Sequence, residues 1–185
     1  MPLVSITAQG PWPITNPKTG KRYSVVRADQ IAGNEKIHQR LVKLCNEPAV
    51  YDFLFRGLLQ GKPYGTNMAE GFLARATQGW QKQSHFVFVT VDEAGEVCGA
   101  MDIKSSDREK AEIGYWASVE HSGIATPTVS VVCEIAAAAG FASLFAFVKT
   151  TNPKSVAVLE RNGFLKQVGE DRTKEYPRFV FLRVL

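Results

Sequence analysis

The chain has 185 residues, 45% hydrophobic and 22% charged, with a formal net charge of +4; that supports one hydrophobic core and is short for two. No run approaches the length of a membrane span, and the opening Met1-Pro-Leu-Val-Ser-Ile lacks the basic segment and long apolar stretch of a secretory signal. The three cysteines, Cys45, Cys98 and Cys133, are scattered and odd in number, which argues for reduced thiols and a cytoplasmic setting. The three histidines have no metal-ligand spacing, so no metal site is expected. The mild positive charge suits a polyanionic small molecule and suits an ordinary solvated surface equally well.

In chain order, residues 1–20 carry four prolines and two glycines and read as an irregular leader. Lys21 to Arg27 alternates as a first strand. Asn34 to Cys45 places Ile37, Leu41 and Leu44 at helical spacing, and Glu47-Pro48 stops it. Further helices are expected near 50–59 and 67–78. From Phe86 the pattern turns to β: residues 86–91, a turn at Asp92-Glu-Ala-Gly95, then 97–103 and 110–116, a three-stranded antiparallel meander. Residues 127–139 read as a helix, with Thr126 as cap, Pro127 in the first helical position and Gly140 as its end. A strand at 144–148 and a helix at 152–161 follow. Strands at 164–168 and 178–184 close the chain, paired antiparallel across the loop 170–177. Phe145, Phe147, Phe86 and Phe88 are expected as facing core layers. The order implies a mixed sheet with helices, α+β or α/β in the broad sense, as a single domain over 21–185.

The segment richest in chemistry is Glu120-His121-Ser122-Gly123-Ile124-Ala125-Thr126-Pro127, between an aromatic strand and an apolar helix. A glycine-bearing turn feeding a helix N-terminus offers several backbone N–H groups with no intrahelical partner, which is an anion cradle.

With that turn, Glu112-Ile-Gly-Tyr-Trp116 before it, and Asn152-Pro-Lys-Ser155 with Val158-Leu-Glu-Arg-Asn-Gly-Phe164 after it, the chain resembles the GCN5-related N-acetyltransferase (GNAT) superfamily. More narrowly, it resembles the RimJ/RimL group of ribosomal-protein-alanine acetyltransferases. The superfamily turn is Gln/Arg-x-x-Gly-x-Gly/Ala; Gly123 and Ala125 match it and Glu120 departs. The resemblance spans about 27–185 as an order of elements and is specific between Glu112 and Phe164. It implies a sheet whose central strands splay and admit acyl-CoA, with the diphosphate at His121, Ser122, Gly123, Ile124, Ala125 and Thr126. Tyr115, Trp116 and Ala117 would offer main-chain partners to the pantetheine arm. A carboxylate at Glu120 opposes a polyanion unless it turns away or His121 or nearby cations compensate; weakened binding is the third outcome.

Acyl transfer from a thioester to an amine needs a neutral amine close to the carbonyl carbon and a stabilised leaving thiolate. Glu112, on the strand leading to the splay, is the candidate base; a cross-strand ion pair is its alternative. Ser155 is the donor to sulfur that the resemblance implies, since Leu159 stands where many members carry Tyr. Asn152 and Ser155 could equally satisfy the start of their own helix. Phe53, Phe55, Arg56 and Tyr64 are the candidate acceptor-binding residues.

The expected activity is transfer of acetyl from acetyl-CoA to a primary amine of a small molecule or a peptide N-terminus, in a ternary complex, by a monomer or homodimer. A non-catalytic CoA-binding or interaction domain is the alternative. An ATP site is disfavoured by the missing Gly-x-x-x-x-Gly-Lys-Ser/Thr. Nucleic acid is disfavoured by the lack of a basic patch interleaved with aromatics.

Overall fold

The computed structural model describes residues 4–31, 33–169, 171 and 177–185. Eight strands form one sheet in the order β1-β2-β3-β4-β5-β6-β8-β7. They are β1 (Trp12–Thr15), β2 (Arg22–Arg27), β3 (Phe86–Asp92), β4 (Val97–Ile103), β5 (Ala111–Ala117), β6 (Ser143–Lys149), β7 (Leu165–Lys166) and β8 (Arg178–Val184). The helices are α1 (Glu35–Cys45), α2 (Pro48–Leu54), α3 (Thr66–Lys82), α4 (Ala125–Ala139) and α5 (Pro153–Arg161). The sheet is antiparallel except where β5 meets β6, whose parallel pairing needs the α4 crossover between them.

Two apolar clusters flank the sheet. On one face α4 and α5 contribute Val129, Val132, Ala136 and Leu159, packed on Phe86, Phe88, Met101, Ile113 and Leu144. On the other, α1 and α3 contribute Ile37, Leu41, Leu44, Leu73 and Ala76, against Val87, Val89 and Ala100. The period-2 alternation of β3 and β4 sends successive residues to the two clusters, which is why these strands read as nearly continuous apolar runs. Trp80, at the end of α3, donates its indole N–H to the Val87 carbonyl at 2.8 Å, satisfying the one polar atom of a fully buried ring.

Several expectations are corrected here. Residues 4–20 are not an irregular leader: Val4 and Ile6 are buried in the first cluster, and β1 pairs with β2. Helix α4 starts at Ala125, so Thr126 and Pro127 lie inside its first turn and the cap position belongs to Ile124. Proline is tolerated there because the first turn donates no intrahelical hydrogen bonds. Phe86 and Phe88 are core residues, but Phe145 and Phe147 are only half-buried. In β6 the alternation gives Leu144, Ala146 and Val148 to the core and turns both phenylalanines to the opposite face. β7 and β8 do pair antiparallel, through Leu165 with Leu182 and Lys166 with Phe181; most of the loop expected between them lies outside the described residues. No helix among the described residues is long and apolar enough to cross a membrane.

Candidate functional site

The sheet parts at its middle. β5 and β6 pair only at Ala111 with Leu144 and Glu112 with Phe145, so from Ile113 and Ala146 onward the strands diverge and leave a notch. Which main-chain groups face it follows from register. Lys104 donates to the Glu112 carbonyl at 2.8 Å and Ser118 to the Cys98 carbonyl at 2.9 Å, so even-numbered residues of β5 bond to β4. The N–H and C=O of Ile113, Tyr115 and Ala117 therefore point into the notch, whereas those of Trp116, also expected to face a ligand, are committed to β4.

Side chains on the two faces of β5 differ in the same way. Tyr115 reaches toward α5, where its hydroxyl donates to the Ser155 carbonyl at 2.9 Å and lies 2.7 Å from Ser155 Oγ. Burial pushes its phenol well above the usual range, so it stays protonated and a donor. Asn152 caps α5, its Oδ1 accepting from the Ser155 N–H at 3.2 Å. Asn152 thus satisfies the helix start, and the Ser155 hydroxyl lies against the Tyr115 phenol. Trp116 packs with the α1/α3 cluster.

The turn after β5 is held from three directions. Glu47, between α1 and α2, accepts from Ser118 Oγ at 2.7 Å and the Val119 N–H at 2.8 Å. The buried Asn16, in the turn between β1 and β2, donates to the Ser122 carbonyl at 3.1 Å, and Lys18 donates to Ser122 Oγ at 3.1 Å. Gly123 has φ +114°, and a Cβ there would lie 2.3 Å from Asn16 Oδ1, so the backbone conformation and the close approach both demand glycine. The N–H groups of Gly123, Ala125 and Thr126 have no partner among the described residues, while Ile124 N–H bonds to the His121 carbonyl at 3.2 Å. Three unpartnered N–H groups thus lie at the positive end of α4.

Glu120 turns toward α1, 3.3 Å from Lys43 Nζ and 4.0 Å from Arg40. His121 turns the same way: its Nδ1 lies 3.0 Å from the Tyr23 hydroxyl and its Nε2 3.5 Å from Arg40. Burial, then the Arg40 charge, holds the imidazole below its usual pKa and hence neutral. The fold also brings ligand atoms of Asp92, Cys98 and His121 within 4.8 Å of one another. Arg40 places a fixed positive charge against that group, and the Cys98 thiol, raised to about 11 by burial, donates to the Glu96 carbonyl.

Glu112 sits at the closed apex of the notch in an ion pair with Lys104. Beside it lies a carboxylate that sequence reasoning missed. Asp102, opposite Gly114 across the β4–β5 ladder, bonds Arg75 of α3 at 3.0 Å. Among the acceptor candidates, Phe53 stands near the open end of the notch, where Lys149 Nζ lies 5.8 Å from its ring and donates to the Asp52 carbonyl at 3.1 Å. Phe55 and Tyr64 do not join it; their rings meet at a 60° tilt, 4.8 Å apart, in the α1/α3 cluster, and the Tyr64 hydroxyl donates to the Met68 carbonyl. Arg56 is exposed and paired with Asp52 at 2.7 Å. Glu47, Asn16 and Asp102 gave no local signal, because each acts on a partner distant in sequence.

Residues 34–165 match the acetyltransferase (GNAT) domain family. No curated protein sequence matches the chain. Among solved structures, Mycobacterium smegmatis RimJ in complex with CoA-disulfide superposes with a TM-score of 0.73 at 15% identity, covering 93% of this chain and 85% of that one. The microcin C7 self-immunity acetyltransferase MccE, in complex with acetyl-CoA and AMP, gives 0.70 at 16% identity over 88% and 92%. A spermidine N-acetyltransferase from Vibrio cholerae, with CoA and spermine, gives 0.65 at 16% identity over 88% and 95%. At such identities the likeness establishes the architecture, a mixed sheet flanked by helices.

Proposed function

The chain belongs to the GNAT acetyltransferase family, and from that premise we propose that it is an N-acyltransferase moving an acetyl group from acetyl-CoA to a primary amine. The observation that carries this reading is the notch between β5 and β6, open beyond Glu112 and Phe145, with three free N–H donors at the adjoining start of α4. An unpaired strand edge and neighbouring amide donors without partners are the two features a pantetheine diphosphate requires. Acetyl-CoA, when bound, supplies the acyl group as a thioester.

The residues present fit such a carrier. Gly123, Ala125 and Thr126 would hold the diphosphate through their N–H groups. Tyr115 and Ala117 would pair with the pantetheine arm through the main chain, and the Tyr115 N–H would polarise the carbonyl. Ser155, its oxygen supported by the Tyr115 phenol, would donate to the departing sulfur. Glu112 is the carboxylate to which sequence assigns the acceptor's proton; its ion pair with Lys104 occupies it. Glu120, the residue that speaks against a polyanion, faces Lys43 and Arg40, which weakens one of the two grounds for a CoA domain without turnover, the other being Leu159 in place of a tyrosine.

Within the family, the Asn152–Ser155 and 158–164 segments support the RimJ/RimL-like reading, with a protein N-terminal amine or a small-molecule amine as acceptor. Free-thiol release from acetyl-CoA, measured across a panel of peptides and small primary amines, tests the reading. Amine-dependent release supports it; folded protein that neither binds acetyl-CoA nor releases thiol with any amine overturns it.

A further inference from the structure

We propose that Asp102 is the proton acceptor for the incoming amine, acting from the α3 face of the sheet while Ser155 serves the sulfur from the α5 face. The inference rests on the amine-acylation reading above and names the residue that completes it.

The geometry begins at Gly114. Asp102 and Gly114 are directly opposed across β4 and β5, and a Cβ on Gly114 would stand 2.8 Å from Asp102 Oδ1 and 3.2 Å from Lys104 Cε. The missing side chain therefore lets the Asp102 carboxylate lean over β5, the strand whose far edge lines the notch. The next residue, Tyr115, directs its main chain into that notch and its side chain to the opposite face, against Ser155. One strand thus separates a carboxylate from a hydroxyl pair. That division suits amine acylation, in which nitrogen must lose a proton before attack and sulfur must gain one on leaving.

The surroundings tune the carboxylate for this work. Burial is the largest influence and raises it above the ordinary aspartate value; Lys104 on β4 and Arg75 on α3 oppose the rise, and Glu112 on β5 adds to it. These are the charged groups facing it from each neighbouring element. Its side chain is 17% exposed, against 29% for Glu112 and 41% for Lys104, so it is the more enclosed of the two carboxylates while still open to solvent at its edge.

The step balances without a further reactant. An N–H bond of the ammonium breaks and its proton joins Asp102, leaving the electron pair on nitrogen. That pair forms the C–N bond as the C–S bond breaks with its electrons on sulfur. Sulfur takes a second proton from nitrogen through Ser155, and Asp102 returns the first to water.

The test is Asp102→Asn, with Asp102→Glu beside it, assayed with an amine that wild-type protein acetylates. Asp102→Asn should lower kcat about 100-fold at pH 7, leave the CoA Kd within about threefold by calorimetry, and recover as pH rises toward the amine's own pKa. Asp102→Glu should restore part of the rate. Carboxyl NMR of the wild-type protein should show one aspartate, absent in Asp102→Asn, titrating above the ordinary range with or without CoA. If Asp102→Asn does not fold, Arg75→Met should instead move the acid limb of kcat/KM to higher pH, since it removes a neighbouring positive charge. An unchanged kcat, a loss equal at every pH, an unshifted NMR titration or an unmoved acid limb in Arg75→Met overturns the assignment. Wild-type protein inert toward every amine sinks the acyl-transfer reading itself, whereas active wild type with an indifferent Asp102→Asn sinks only this inference.

Discussion

Ser155 is structural through its backbone and, on the proposed reading, chemical through its tip. Its N–H completes the Asn152 cap, and its hydroxyl meets Tyr115 at the notch. Ser155→Ala keeps the first interaction and deletes the second. It should therefore leave the thermal midpoint nearly unchanged while lowering kcat about 10- to 100-fold, with CoA affinity preserved; a calorimetric scan beside steady-state kinetics separates the two. His121 makes the converse case, a residue expected at the phosphates that serves the scaffold instead. Its pKa is lowered in the fold, so as pH falls through about 6.5 the unfolded chain takes up the proton first and stability declines until the folded value is passed. Thermal midpoints between pH 7.5 and 5 should fall less steeply in His121→Gln, which has no proton to gain.

At the scale of elements, the turn between β5 and α4 owes its position to distant segments. α1 reaches it through Arg40 and Lys43, the α1–α2 corner through Glu47, and the β1–β2 turn through Asn16 and Lys18. Glu120 belongs to this anchoring and not to the cradle. Glu120→Gln should accordingly change the CoA Kd by less than about threefold, measured by calorimetry at low ionic strength, where a carboxylate among the phosphates would show itself most. A tenfold gain in affinity would mean that its charge bears directly on the ligand.

Across the whole molecule, the interior forms two clusters about the sheet, and α3 contributes to both, Trp80 to one and Leu73 to the other. Leu41 lies in one and Leu159 in the other, both fully buried. Each truncation to Ala should cost about 2–5 kcal/mol. The double variant should lose the sum within about 0.5 kcal/mol in urea unfolding, because the sites share no neighbours. A marked shortfall or excess would show that strain crosses the sheet.

Local rules made much of this molecule legible. The Asn34 and Asn152 caps, the left-handed Gly140 stop, the β3–β4 hairpin and the glycine-bearing turn each rest on residues within a few positions of one another. The notch itself was read from family resemblance, and no single-strand pattern announces it. Proline-rich residues 4–20 hid β1, since a strand paired on one side tolerates the missing donor of Pro13 that a central strand would not.

What the sequence determined by itself is most of the elements and the place of the glycine-bearing turn before α4, because those follow from short-range periodicity and spacing, while the family came from the resemblance of its motifs. What only the tertiary structure decided is direction: Glu120 and His121 toward α1, Trp116's main chain toward β4, Phe55 and Tyr64 into the core, Asp102 over Gly114. Direction depends on strand register and on which helix packs above, and both arise from contacts between residues far apart in the chain.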